Sequence, residues 1–95
     1  MKSIAKFEGK AIKGSFTYFF DMSSGGGSKL DTDNIYIEAK KSLAKVVFER
    51  VFDRDPENVT CQCCGCDYSI DTKIDPEIPN GSFVITKQDI ENILS

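Results

Sequence analysis

The chain contains no histidine, and this absence removes the commonest catalytic arrangements. A Ser–His–Asp set cannot form, and a cysteine nucleophile would lack the imidazole that usually activates it. The sequence also offers no general base with an evident partner. We therefore expect a protein that is not an enzyme.

Long apolar runs are missing as well. No segment reaches a membrane-spanning length, and the first six residues lack the apolar stretch of a signal peptide. The clustered thiols of the chain suit a reducing cytoplasm, so we expect that compartment and no membrane association. The length of 95 residues and an apolar fraction of 40% predict one domain, spanning residues 1–95, with a modest core.

All four cysteines fall within six residues, at Cys61, Cys63, Cys64 and Cys66. Cys61 and Cys64, followed by a glycine, have the Cys-x-x-Cys-Gly spacing of a zinc knuckle, in which a tight turn directs two sulfurs at one point. Four thiolates around one Zn²⁺ would make a structural site without an open position.

Two alternatives to the four-cysteine site stay open. The knuckle could supply two or three ligands, completed by Asp67 or by a second protomer in a zinc-bridged dimer. The cysteines could also be reduced thiols packed under a turn without metal. Disulfides fit poorly, because pairing of adjacent cysteines strains the disulfide geometry.

Charge is distributed unevenly along the chain. Residues 1–50 hold nine Lys and Arg against six Asp and Glu, whereas residues 51–77 hold two against seven. We expect acids on both sides of the cysteines to share one face that binds a basic groove of a partner protein, and these are Asp53, Asp55, Glu57, Asp67 and Asp71. A merely solvated acidic surface is the alternative. Direct nucleic-acid binding is disfavoured, because it calls for the opposite charge.

Hydrophobic periodicity predicts one long amphipathic helix over about residues 39–53. Ala39, Leu43, Val47 and Val51 recur at four-residue steps, and Pro56 is expected to stop the helix. A short C-terminal helix should begin after Thr86 as its N-cap. Strand patterns occupy residues 4–12, 15–20, 34–38, 59–60, 68–70 and 83–85, with a hairpin turn at Gly14.

These elements predict an α+β domain in which an antiparallel sheet of about four to five strands packs on the long helix. The cysteine knuckle would lie on a hairpin tip between residues 59–60 and 68–70. Six residues are predicted to form the core, namely Phe19, Ile37, Leu43, Val47, Val51 and Phe83. The Ser/Gly-rich residues 23–28 are predicted to form a plain flexible loop, because the full phosphate-binding pattern is missing.

A resemblance rests on the turn Thr-Cys-x-Cys-Cys-Gly-x-Asp-Tyr-Ser at residues 60–69, with Tyr-Ile-Glu-Ala at 36–39 and a helix between them. Over residues 16–72 this chain resembles small bacteriophage proteins of unassigned function, although Cys66 occupies a variable position of their pattern. In size and acidity it resembles the metal-containing anti-CRISPR proteins that bind Cas9.

The resemblance implies a phage-encoded, non-catalytic inhibitor with structural Zn²⁺, acting in the host bacterial cytoplasm. Its partner would be a defence nuclease such as Cas9, in which it blocks DNA loading or cleavage. Two other functions stay open. The glycines at 25–27, Lys29 and the aromatic residues favour a small-ligand or nucleotide sponge, and the cysteines also suit a small zinc-binding regulatory protein of the phage.

Overall fold

A computed structural model describes residues 10–21, 34–57, 66 and 68–95. In these residues, six strands and two helices follow one another along the chain. They are β1 Lys10–Ala11, β2 Ser15–Asp21, β3 Asn34–Ile37, α1 Lys41–Phe52, β4 Tyr68–Ile74, β5 Glu77–Ile78, β6 Phe83–Ile85 and α2 Lys87–Leu94. The fold is a small α+β arrangement. Outside the described residues lie the first part, residues 4–9, of the predicted strand 4–12, the predicted strand 59–60, and residues 61–65 of the predicted cysteine turn 61–66.

The main sheet has four strands in the order β4-β2-β3-β6. Strand β2 is antiparallel to β3 and to β4, so that Tyr18 lies opposite Tyr36 on one side and Asp71 on the other. Strand β6 runs parallel to β3, with Tyr36 opposite Val84. The prediction of an antiparallel sheet is therefore wrong for this pair. The chain between β3 and β6 carries α1, and a crossover of this kind is what joins parallel neighbours.

Strands β1 and β5 form a separate two-stranded sheet, in which Lys10 lies opposite Ile78. The predicted hairpin at Gly14 is therefore wrong, because β1 does not pair with β2. Gly14 has a φ of 134°, and its amide donates to the carboxylate of Asp75 at 2.8 Å. The glycine bends the chain from the small sheet into β2 rather than reversing it.

Helix α1 packs on one face of the main sheet through its buried residues Ala44, Val47, Phe48 and Val51. The prediction of a buried Leu43 is wrong, since 41% of this residue is exposed. Four-residue steps drift around a helix of 3.6 residues per turn, so the buried face follows spacings of three and four instead. The other five predicted core residues are buried, and they are Phe19, Ile37, Val47, Val51 and Phe83.

The helix ends before the predicted proline stop. Asp53 adopts the left-handed conformation at the C-cap, with a φ of 54°, and its amide donates to the carbonyl of Glu49 at 2.9 Å. Pro56 is buried in the turn that follows. A C-terminal residue in the left-handed region satisfies a free carbonyl of the last turn, so the helix closes without the proline.

Thr86 caps α2 as predicted. The amide of Asp89 donates to Thr86 Oγ1 at 3.4 Å, and the amide of Thr86 donates to Asp89 Oδ2 at 3.1 Å. These reciprocal bonds form a capping box that satisfies two backbone donors at the start of the helix. Ile90 of α2 is buried and joins the core beneath α1.

The opposite face of the main sheet has its own apolar cluster, formed by Phe16, Tyr36, Ile78 and Val84. Ile78 comes from β5, so the small sheet covers part of this face. Tyr18 packs at the margin of the cluster, and Phe20 is exposed. The main sheet is therefore apolar on both faces, and the aromatic end of β2 is the less covered part.

The corrected helix phase gives a paired stability prediction. We expect Phe48→Ala to lower the free energy of unfolding by about 3–5 kcal/mol, because a fully buried ring leaves a cavity. We expect Leu43→Ala to cost less than about 1 kcal/mol, because 41% of this residue is already exposed and its loss leaves no closed cavity. Urea unfolding followed by circular dichroism measures both. Equal losses in the two variants would show that the buried face is assigned wrongly.

Candidate functional site

The predicted metal centre is only partly within the described residues. Cys66 is an exposed free thiol two residues before β4 begins. The remaining predicted ligands Cys61, Cys63 and Cys64, together with Asp67, lie outside the description. Among residues 10–21, 34–57, 66 and 68–95, no three side chains of His, Cys, Asp or Glu are grouped to hold a metal ion.

Three of the predicted acids lie together on the turn that follows α1. Asp53, Asp55 and Glu57 are all exposed there, and we call these three residues the acidic turn. The carboxylate of Asp55 accepts the amide of Glu57 at 2.9 Å, which closes the turn on itself. With the left-handed cap at Asp53, this bond holds the acidic turn in a defined shape.

An ion pair ties the acidic turn back to the helix. Lys45 Nζ lies 2.6 Å from Glu57 Oε1. The hydrogen bond from Lys45, with its positive charge, lowers the pKa of Glu57, and the same hydrogen bond raises the pKa of Lys45. The Lys45 side chain is half-buried and that of Glu57 is exposed, and both charged ends reach water, which screens the pair and keeps its effect on stability small. Its main effect is to offset one of the three charges and leave Asp53 and Asp55 as the principal acids.

Asp71 does not join the acidic turn. Its neighbours on β4, Tyr68 and Ile70, pack in the core beneath α1. Successive side chains of a strand point to opposite faces, so Asp71 lies on the far face of the sheet, opposite Tyr18 in the ladder. The expectation that all the acids share one face therefore does not hold for Asp71.

An aromatic group occupies the same far face of the sheet. The Tyr18 ring stacks on Tyr36 with ring centroids 4.7 Å apart, and Phe20 follows at 6.3 Å from Tyr18. Lys73 Nζ lies 5.7 Å from the centroid of the Tyr18 ring, within range of a cation–π contact. The hydroxyl of Tyr18 donates to Asn34 Oδ1. Burial raises the pKa of Tyr36, so its hydroxyl stays protonated well above neutral pH.

Sequence reasoning did not single out Asp21. This carboxylate is buried at the end of β2, opposite Tyr68, and thus at the end of the sheet where Cys66 lies. Burial of a carboxylate is costly unless it is hydrogen-bonded or paired, so such a residue marks an organised local structure. The available signal was an aspartate that ends an aromatic, β-branched stretch directly before a Ser/Gly-rich sequence.

Comparison of the chain with protein-family models, with curated proteins and with solved structures found no match. The two helices of the described part of the chain are too short and too polar to cross a bilayer.

The ion pair predicts how Glu57 titrates. We expect its carboxyl pKa to lie below the ordinary glutamate range in the folded protein, and Lys45→Gln to move it back up. The small stabilisation from the pair is present above the pKa of Glu57 in the unfolded chain. It is lost as the pH falls through the lower pKa of the folded state. Carboxyl-detected NMR titration measures the pKa directly.

Lys41→Gln is the matched control, because Lys41 lowers the pKa of Glu57 only through a weaker charge interaction. It should shift the titration less than Lys45→Gln does. Identical Glu57 titration curves in wild type and Lys45→Gln would contradict the ion pair.

Proposed function

We propose that this protein is a phage-encoded, non-catalytic inhibitor of a bacterial defence nuclease such as Cas9, acting in the host cytoplasm. The acidic turn would bind the basic channel through which the nuclease loads its guide or target strand. The observation that carries the proposal is the turn itself, where exposed carboxylates are held in place by Asp53 at the cap, by the Asp55–Glu57 bond and by Lys45.

The location of these acids supports a binding role. The C-terminal end of a helix carries partial negative charge, and cations are the side chains that stabilise it. Here Arg50 occupies the last turn of α1 and Arg54 follows the cap, yet three of the five residues from Asp53 to Glu57 are acids. The arrangement does not favour helix stability, and local departures from stability rules are typical of functional sites.

The chemistry of the target fits such a turn. A nuclease channel holds phosphates with lysine and arginine side chains, and carboxylates on a preformed turn can occupy the same positions. Complementary charge raises the association rate and makes binding sensitive to salt. A preformed turn also loses less conformational entropy on binding than a flexible loop.

The proposal includes one structural Zn²⁺ held by Cys61, Cys63, Cys64 and Cys66. Four thiolates are the donor set that closed zinc sites use. Cys66 fits this role in position, because its thiol is exposed beside the start of β4. The metal would fix the cysteine turn at one end of the main sheet, and a domain of this size gains useful stability from a metal.

Zinc content tests the metal part of the proposal. We expect about one Zn²⁺ per chain in protein purified without added metal, measured by elemental analysis. Cys61→Ser with Cys64→Ser should remove it, and Cys66→Ser should weaken binding if the fourth thiolate is a ligand. Less than about a tenth of an equivalent, with freely titratable thiols, would refute the zinc site. A zinc-bridged dimer would instead give about half an equivalent.

Inhibition of DNA cleavage tests the function. We expect wild-type protein to inhibit guide-loaded Cas9, with weaker inhibition at high salt. Asp53→Asn with Asp55→Asn should reduce inhibition at least about tenfold through lost charge complementarity. Asparagine tolerates the left-handed cap and keeps an oxygen for the Glu57 amide, so the turn should persist. Glu77→Gln with Glu91→Gln removes the same charge elsewhere and should inhibit normally.

Complete DNA cleavage in a large excess of folded protein, with no complex on size-exclusion chromatography, would end the proposal for the nuclease tested. A normal inhibition curve for the asparagine variant would show that the inhibitor docks through another surface.

The aromatic group favours a second candidate, a small-ligand or nucleotide sponge. Phe20 is exposed beside Tyr18, and Lys73 lies above the same ring, a combination that suits a flat anionic ligand. Mass spectrometry of small molecules released from heat-denatured, freshly purified protein separates this candidate from the nuclease inhibitor.

A further inference from the structure

Strand β4 lies at one edge of the main sheet. Within the described part of the chain, β4 pairs with β2 alone, over all seven residues from Tyr68 to Ile74. Ile74, the last residue of β4, is 74% exposed, the highest value among the large apolar side chains described. An edge strand of this length, with an apolar side chain in water, presents a surface that another strand can cover.

The phase of the β2–β4 ladder shows which backbone groups face outward. The amide of Asp75 donates to the carbonyl of Gly14 at 2.7 Å, directly beyond the pair of Ser15 with Ile74. Hydrogen-bonded and non-hydrogen-bonded pairs alternate along an antiparallel ladder. Residues 69, 71 and 73 therefore bond to β2, and the backbone N–H and C=O groups of Ile70, Thr72 and Ile74 point away from it.

The sequence of this edge is symmetric in character about Thr72. It reads Ile70, Asp71, Thr72, Lys73, Ile74, so an apolar residue and a charged residue stand on each side, and the two charges have opposite signs. A second copy running antiparallel through Thr72 would place Asp71 opposite Lys73 and Ile70 opposite Ile74, each twice. Opposite charges and apolar pairs are the cross-strand neighbours that stabilise a sheet.

We propose that the β4 edge is a homodimer interface, in which two copies pair antiparallel about Thr72 and join their main sheets into one of eight strands. Ile70, Thr72 and Ile74 form the hydrogen-bonded pairs with the second copy. Asp71 and Lys73 form the non-hydrogen-bonded pairs, where facing side chains approach most closely. The exposed Ile74 is then covered by Ile70 of the second copy.

Two constraints select this register over its neighbours. The first is that residues whose backbone N–H and C=O groups point outward must pair with residues of the same kind on the second copy. This condition excludes a two-fold axis that passes between two neighbouring residues of β4, and it allows an axis that passes through a residue. An axis through Asp71 would place two aspartates opposite each other, and one through Lys73 would do the same with two lysines. Charges on an edge strand usually discourage such pairing, but here the register through Thr72 makes them complementary.

The same symmetry supports a second copy over an unrelated extended peptide. An extended peptide can pair with β4 through the outward backbone groups alone. Such pairing does not need opposite charges placed at equal distances from one residue. An isologous interface uses the same patch on both copies, so the patch must be complementary to itself across the two-fold axis. The five residues from Ile70 to Ile74 meet that condition. The axis stands perpendicular to the sheet, so both α1 helices lie on one side of the dimer.

Sedimentation analysis of the full chain from about 1 μM to about 1 mM tests the interface. We expect a concentration-dependent dimer. Asp71→Lys and Lys73→Asp should each raise the dimer dissociation constant about tenfold or more, because each change puts like charges opposite each other twice. The double variant Asp71→Lys with Lys73→Asp restores opposite pairs and should return the constant to near the wild-type value. Both positions are exposed, so the monomer fold should tolerate the changes.

Thr72→Pro supplies an independent test. Its amide points away from β2, so the proline leaves the ladder to β2 intact while it removes the two central bonds of the dimer, one donated by each copy. We expect a folded monomer by circular dichroism and sedimentation. A wild-type chain that stays monomeric throughout the range would overturn the proposal. A dimer that is unaffected by both single charge reversals, as a zinc-bridged dimer would be, would overturn it equally.

Discussion

The packing of Phe48 against the sheet is the contact on which the main core depends. Its ring lies 4.8 Å from that of Phe19 on β2, 4.9 Å from that of Tyr68 on β4 and 4.9 Å from that of Phe52, measured between centroids. Phe52 in turn stacks on Phe83 of β6 at 5.8 Å. One turn of α1 thus connects three of the four strands. The acidic turn begins directly after Phe52, so the aromatic contacts also fix where the carboxylates stand.

Much of the fold could be predicted from local patterns, because local patterns decide local elements. The aromatic and β-branched run that forms β2 and the Thr86 cap of α2 needed no knowledge of the rest of the chain. Long-range pairing was harder. Nothing near Gly14 shows that its amide will bond to Asp75, and nothing in β3 shows that β6 will lie beside it in parallel. The prediction that Leu43 is buried failed for a simpler reason. Neighbouring apolar positions on one helix can form two slightly different apolar stripes, and only one of them faces the sheet.

The candidate site shows the same difference between local grouping, which the sequence predicts, and long-range placement, which it does not. Asp53, Asp55 and Glu57 are close in sequence, so their grouping follows from a single turn, and it was predictable. Asp71 was counted with them because it is near the cysteines in sequence, but the alternation of a strand decides its face and places it with Tyr18. Asp21 shows the opposite case, a buried acid whose surroundings come from a strand distant in sequence. Counting charges along a sequence therefore shows which stretch of the chain is acidic, but it does not show which of those acids share one face of the folded protein.

The parallel pairing of β3 with β6 also orders the events of folding. Strand β3 lies between β2 and β6, and residues 38–82 separate it from the second of these neighbours. During synthesis the chain can form the β2–β3 ladder early, but the other edge of β3 stays open until β6 has left the ribosome. Contacts that close such a long loop are entropically slow to form. The nascent chain therefore passes through a state in which the apolar residues Ile35 and Ile37 lie on an unprotected strand, and this interval is when misassociation with other chains is most probable.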